Sequence, residues 1–206
     1  MLAAAEIVQR LRREAGPSLR FMVGIAGPPG SGKSTISGQL CEALTASGEP
    51  AVVVPMDGFH FDDAILNARG HRSHKGAPHT FDVAGFEVLL KRIKVREPDI
   101  AIPVFDRSME LARAGAEIIS ANTKFILVEG NYLLLKQPGW ERLKPLFDFT
   151  IFLKVTEAML EHRLLARWRG FGFDEAAART KALGNDIPNA RLVVNESSAA
   201  DLTLEG

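Results

Sequence analysis

The run Gly27-Pro28-Pro29-Gly30-Ser31-Gly32-Lys33-Ser34-Thr35 constrains this chain more than any other part of it. It satisfies Gly-x-x-x-x-Gly-Lys-[Ser/Thr] in full, and it stands between an apolar run at 21–26 and a helical pattern over 33–47. Strand, glycine turn and helix in that order make a phosphate-binding loop, because small residues let backbone N–H groups turn inward around phosphate oxygens. Lys33 brings a positive charge to the outer phosphates of a nucleotide. Ser34 offers a hydroxyl to Mg²⁺ at the start of a helix whose dipole favours anions. The candidate nucleotide contacts are therefore Gly27, Gly30, Ser31, Gly32, Lys33, Ser34 and Thr35, with ATP and Mg²⁺ as the expected ligands. A glycine turn that merely contains Lys-Ser is the alternative, and the flanking strand and helix argue against it.

Apolar runs alternate with helical patterns along the rest of the chain, as βα units around a parallel sheet require. Strands are expected at 21–26, 51–54, 100–105, 117–120, 125–129 and 149–154. Helices are expected at 1–16, with Ile7, Val8 and Leu11 on one side, at 33–47 and 62–69, and at 83–94 with Asp82 as its cap. Further helices are expected at 140–147, 157–168 and 174–183. Residues 70–79 read as a polar, basic loop, and 191–194 as a closing apolar segment before a short tail. A chain of 206 residues suits one domain spanning 1–206.

Composition narrows the function classes. The 25 basic and 25 acidic residues cancel, whereas a general nucleic-acid or membrane-surface binder carries a basic excess. No apolar run reaches the roughly 18 residues of a membrane span, and the N-terminus fits neither a secretory nor a transit signal. The single cysteine, Cys41, cannot make an internal disulfide. The expected location is the cytoplasm and the expected partner a small molecule.

Two acids at strand ends select the chemistry. Asp57 follows the strand 51–54 in Pro-Met-Asp-Gly-Phe-His, and Glu129 closes the strand 125–129 in Glu-Gly-Asn-Tyr. The carboxyl ends of neighbouring strands in an open parallel sheet converge on the ligand crevice. An acid there can accept a proton from an attacking hydroxyl or hold Mg²⁺. Capping the next helix is the ordinary alternative for each acid.

With these residues in hand the chain resembles the uridine kinase, phosphoribulokinase and pantothenate kinase group of P-loop kinases. The likeness rests on residues 27–34, Met-Asp-Gly-Phe-His at 56–60 and Val-Glu-Gly-Asn-Tyr-Leu-Leu at 128–134. Lys-Gly-Ala-Pro-His-Thr-Phe-Asp at 75–82 and Pro-Val-Phe-Asp-Arg at 103–107 are similar to a bacterial branch, some of whose members are labelled fructose transport system kinases. The resemblance covers about residues 20–195. It implies a three-layer α/β/α fold with a five-stranded parallel core and a small helical lid, near 157–185. It also implies transfer of the γ-phosphate of ATP to an acceptor hydroxyl, with Asp57 as base or magnesium partner and Glu129 at the metal or acceptor site. Homo-oligomers occur in the group.

Other candidates carry two readings each. Arg163 and Arg167 share a helix face and, by resemblance, reach the transferring phosphoryl group; a solvated basic face is the alternative, and Arg169 lies beyond the helix end. His60, His71, His74 and His79 with Arg69, Arg72 and Lys75 form either an acceptor loop or a basic surface loop. Asp106 and Arg107 follow a strand and, by resemblance, line the acceptor pocket. Tyr132 is a candidate acceptor contact, with core packing as its commoner fate. Asn185, Asp186 and Asn189 contact the adenine or shape a turn. The acceptor itself stays open among sugars such as fructose, nucleosides and pantothenate-like alcohols. Transfer to water, or nucleotide sensing without catalysis, are the competing functions; no Asn-Lys-x-Asp guanine motif is present, the nearest run being Asn122-Thr123-Lys124-Phe125.

Overall fold

The computed structural model describes residues 4–206. In chain order its first half holds α1 (Ala4–Ala15), β1 (Phe21–Ala26), α2 (Lys33–Ala46), β2 (Ala51–Pro55), α3 (Asp63–Ala68), α4 (Val83–Lys94) and β3 (Ile100–Asp106). The second half holds β4 (Leu111–Ile119), β5 (Phe125–Gly130), β6 (Phe149–Lys154), α5 (Glu157–Gly170), α6 (Glu175–Lys181), α7 (Ile187–Glu196) and β7 (Leu202–Glu205). Five strands form one parallel sheet in the order β2-β5-β1-β6-β7.

Both faces of that sheet are covered, which is why β1 and β5 read as unbroken apolar runs. Phe21, Val23 and Ile25 of β1 join Phe125 and Leu127 of β5 in a core with Leu11 of α1 and Leu40 of α2. The alternate residues Met22, Ala26, Ile126 and Val128 face Phe86, Leu90 and Ile93 of α4. The two-residue period of the strands thus sorts neighbouring side chains into two cores and produces three layers. Asp82 caps α4 as expected, accepting from the Gly85 N–H at 2.9 Å. The N-terminal helix runs Ala4–Ala15 and buries Ile7, Val8 and Leu11; the expectation for 1–3 lies outside the described residues. No helix among the described residues is long and apolar enough to cross a membrane.

Three expectations need correction. Residues 100–105 and 117–120 do not enter the parallel sheet: β3 and β4 pair with each other, antiparallel, in a separate two-stranded ribbon. Most of β4 is exposed, and its Arg113-Ala114-Gly115-Ala116 run offers no apolar face to bury. The fifth core strand is instead β7, drawn from the apparent tail and only four residues long, too short for periodicity to reveal. Residues 191–194 belong to α7 and not to an extended segment. The helix expected at 140–147 is two 3₁₀ turns, Trp140–Arg142 and Lys144–Leu146, divided just before Pro145.

Tyr132 lies in the core, contrary to its candidacy as an acceptor contact. Its ring packs edge-on to Phe81 and Trp140, at 5.7 and 5.2 Å between centroids. Its hydroxyl donates to the Gly76 carbonyl at 2.6 Å, so it anchors the 70–80 segment from below. The apolar run Leu133-Leu134-Leu135 draws it inward with its neighbours. Replacing Tyr132 with Phe removes only that tie; stability is expected to fall by about 1–2 kcal/mol, with faster amide exchange at 71–80 measured by hydrogen–deuterium exchange.

Glycine positions give a test of opposite signs. A methyl on Gly58 would run into the Pro103 backbone, its carbonyl oxygen included, whereas one on Gly38 in the middle of α2 meets nothing within 4 Å. Thermal unfolding of Gly58→Ala is expected to show a loss of about 1–3 kcal/mol. Gly38→Ala is expected to gain about 0.5–1 kcal/mol.

Candidate active site

The sheet order decides what meets what. β5 lies between β1 and β2, and in register Glu129 stands level with Ile25 on one side and Pro55 on the other. The phosphate-loop segment leaves the end of β1, and the 3₁₀ turn Met56–Phe59, carrying Asp57, leaves the end of β2. Three sequence-distant segments therefore open at one edge of the sheet. Their side chains line a cleft of about 1300 Å³ that includes Lys33, Ser34, Asp57, His60, Arg107 and Glu129.

The loop is built to hold anions. Gly30 and Gly32 adopt φ of 80° and 92°, a region that disfavours any residue with a Cβ. α2 begins at Lys33 with no side-chain cap on Gly32, which leaves its first N–H groups for a ligand. The Ser31 hydroxyl is buried with no hydrogen-bond partner, a donor that a phosphate oxygen would satisfy. Lys33 is buried, donates from Nζ to the Pro28 carbonyl at 3.0 Å, and has a pKa lowered to about 8 by burial, against the opposing pull of Glu129 and Asp57. Gly27 sits behind the loop, where a Cβ would lie 2.8 Å from the Leu153 carbonyl oxygen. These residues fit the phosphates of a nucleotide.

The acids divide in environment. Glu129 is buried and accepts from the Ser34 hydroxyl, Oγ to Oε1, at 3.1 Å. Burial raises its pKa, and Lys33 works against that rise. A hydroxyl and a carboxylate in contact are hard oxygen donors of the kind Mg²⁺ takes. Asp57 is more open; its Oδ2 accepts from Arg107 Nη2 at 2.6 Å. His60 Nδ1 lies 2.8 Å from the Asp57 carbonyl, which can only accept, so Nδ1 carries the proton. The His60 ring is packed against Phe81 and Phe105 at 4.0 and 4.8 Å between centroids, and burial lowers its pKa.

On the facing side, Arg163 donates to the Gly30 carbonyl at 3.5 Å, and Arg167 also lines the cleft. The buried Nε of Arg167 has no partner. Arg169 turns away and pairs with Glu175. Asp106 is occupied by its own turn, accepting from Ser108 and pairing with Arg113. A second groove of about 430 Å³ flanks the loop between Ile36 and Gln39 of α2 and Leu153 and Leu204 of the sheet, with Arg163 on its rim. Thr35 borders both cavities, and Ser31 the groove alone.

Sequence reading did not find the aromatic patch on the cleft wall. Trp168, Phe171, Phe173 and Lys181 face the cleft; a signal lay in Trp168-Arg169-Gly170-Phe171-Gly172-Phe173, whose aromatics run past the helix pattern among glycines. Asn185, Asp186 and Asn189 line the same cleft from the π-helical turn Ala182–Asp186 and the start of α7. Asp186 accepts from the Trp168 indole at 2.7 Å, and Asn185 donates to the Lys75 carbonyl at 2.9 Å. They border the large cleft and not the groove beside the loop.

Known proteins are similar to this chain in sequence and in fold. The model of the methylmalonyl-CoA mutase-associated GTPase MeaB family matches residues 1–60, the segment that holds the phosphate loop. An Escherichia coli K12 protein, YggC, is 35% identical over 100% of this chain and 83% of its own length. A Schizosaccharomyces pombe protein named "putative uridine kinase" is 30% identical over 90% of this chain and 83% of its own. The solved structure of a "putative fructose transport system kinase" from Silicibacter sp. TM1040 is 42% identical, covers 99% of this chain and 100% of its own, and superposes with a TM-score of 0.95. Pantothenate kinases recur among more distant relatives, and phosphoribulokinase from Rhodobacter spheroides shares the fold at 13% identity and a TM-score of 0.60. By identity along its whole length and by its sheet, the chain belongs to the uridine kinase, phosphoribulokinase and pantothenate kinase group of P-loop kinases.

Proposed function

We propose that the chain is an ATP-dependent kinase that transfers the γ-phosphoryl group to a hydroxyl of a small metabolite. One observation carries the reading: an acid, Asp57, faces the same cleft as the phosphate loop, at the end of a different strand. The loop residues Gly27, Gly30, Ser31, Gly32, Lys33, Ser34 and Thr35 bind the nucleotide phosphates. The groove between α2 and the β6–β7 edge takes the base, and the large cleft takes the acceptor.

Ser34 and Glu129, with Asp57 near, hold Mg²⁺, which when bound offsets charge on the outer phosphates. Asp57 orients the acceptor hydroxyl and receives its proton as the oxygen bonds to the γ-phosphorus and the bond to ADP breaks. Arg107 fixes the Asp57 carboxylate in the resting cleft. Arg163 and Arg167, on the α5–α6 lid that closes the cleft near 157–185, offset charge in the transition state. His60 packs beside the reacting hydroxyl. The protein acts in the cytoplasm as a single domain on a sugar such as fructose, a nucleoside or a pantothenate-like alcohol. The names "uridine kinase", "fructose transport system kinase" and "pantothenate kinase" among its relatives support that range.

Hydrolysis of the nucleotide has one observation on its side, the GTPase-family match over residues 1–60. That segment stops just after Asp57 and includes neither Glu129 nor the lid arginines, so it reaches only the shared phosphate-loop unit.

An ADP-release screen over sugars, nucleosides and vitamin alcohols, with mass detection of the product, tests the assignment. ADP release should depend on one acceptor class. Asp57→Asn should lower turnover with that acceptor by roughly 10²–10⁴-fold while ATP still binds; near-normal turnover would take Asp57 out of the mechanism. Lys33→Ala should weaken ATP affinity and turnover together, and unchanged values for both would remove the phosphate-loop assignment.

A further inference from the structure

The cations of the cleft are not equivalent. Arg107 is held by Asp57, Arg72 by Asp63 at 2.6 Å, and Lys75 by Asp63 at 2.7 Å and by the Glu110 carbonyl at 2.8 Å. Arg167 and Lys181 have no carboxylate within ion-pair distance among the described residues. They rest instead on aromatic faces. Lys181 Nζ lies 4.8 Å from the Trp168 ring centre and 4.9 Å from that of Phe173. The Arg167 guanidinium lies 5.5 Å from Trp168 and 5.9 Å from Phe171.

Asp186, the carboxylate that acts most on Arg167 ahead of Asp57 and Glu110, is buried and tied to the Trp168 indole. The lining of the cleft as a whole carries more cationic than acidic side chains. Position separates Lys181 from nucleotide binding. Arg163, which touches the loop at Gly30, borders both cavities, whereas Arg167 and Lys181 border the large cleft alone. Phe171 and Phe173 keep substantial exposure there, 50% and 37%, and supply apolar walls around the two charges.

We propose that the acceptor carries an anionic group, a carboxylate or a phosphate, apart from its reacting hydroxyl, and that Lys181 on the Trp168–Phe173 platform binds that group. The proposal rests on the kinase reading for the identity of the acceptor, but the anion site itself does not. A cation parked on a ring face is pre-positioned, so little side-chain freedom is lost when an anion arrives. Charge-assisted hydrogen bonds in a partly dry wall are stronger than neutral ones.

Two measurements test it. Trp168 becomes the only indole in a Trp140→Phe background, and its fluorescence reads the platform. With the phosphate loop saturated by a non-hydrolysable ATP analogue and Mg²⁺, inorganic phosphate at constant ionic strength should give a saturable change. Lys181→Met should weaken that binding by at least about tenfold. Absence of a saturable phosphate site, or equal binding in Lys181→Met, overturns the proposal.

The second measurement compares matched acceptors in the ADP-release assay: pantothenate with pantothenyl alcohol, fructose 6-phosphate with fructose, and glycerate with glycerol. The charged members should be preferred, with KM for them raised by about tenfold or more in Lys181→Met and kcat little changed. Preference for the neutral members overturns the anionic acceptor. A protein that binds phosphate at Lys181 yet phosphorylates nothing keeps the subsite and loses the kinase reading. One that phosphorylates neutral alcohols and shows no phosphate site keeps the kinase and loses the subsite.

Discussion

Strand β5 runs between β1 and β2, and hydrogen bonding on both sides fixes its register: Glu129 is level with Ile25 and with Pro55. A slip of one residue would turn every side chain of β5 to the opposite face, exchanging Phe125 and Leu127 with Ile126 and Val128 between the two cores. Burial on both sides forbids that exchange. The same constraint therefore fixes where Glu129 meets Ser34, and it sets the turn with Asp57 one strand away. Packing of residues that take no part in chemistry positions those that do.

Electrostatics in the cleft follows from that placement. Lys33 and Glu129 are buried close to one another, and burial pushes the pKa of each toward its neutral form while each resists the shift in the other. The Ser31 hydroxyl has no partner and α2 has no side-chain cap. The resting loop thus holds donors that a phosphate chain would satisfy. The Asp57–Arg107 pair is open to solvent, so its worth to stability is small; what it contributes is a fixed orientation for a carboxylate at the mouth of the acceptor cleft.

The parts legible in the sequence were those where local pattern and tertiary role coincide. The phosphate loop, the apolar strands β1, β2, β5 and β6, the Asp82 cap and the two acids all have signals within a few residues. β7 did not, because four residues with one buried leucine, Leu204, carry no periodicity. Residues 100–105 and 117–120 read as strands of the parallel sheet because apolar runs alternate with helical patterns, whereas the exposed register of β4 shows that the ribbon pairs outside it. Tyr132 carries two sequence readings, acceptor contact and core packing, and from the core its hydroxyl holds the Gly76 carbonyl. The aromatics of the Trp168–Phe173 wall stand in one short run, but the platform they make for Lys181 depends on contacts between α5, the following loop and α6. Membership of the kinase group adds the fold and the phosphate chemistry, and leaves acceptor choice to these walls.

On the proposed function this cleft delivers phosphate to a hydroxyl and not to water. Turnover of ATP in ¹⁸O-labelled water, in the presence of the acceptor panel, separates the two most directly. A phosphorylated acceptor whose phosphoryl group contains no solvent oxygen is expected, with little labelled inorganic phosphate. Release of ¹⁸O-labelled inorganic phosphate at one rate, whatever acceptor is present, would contradict that function.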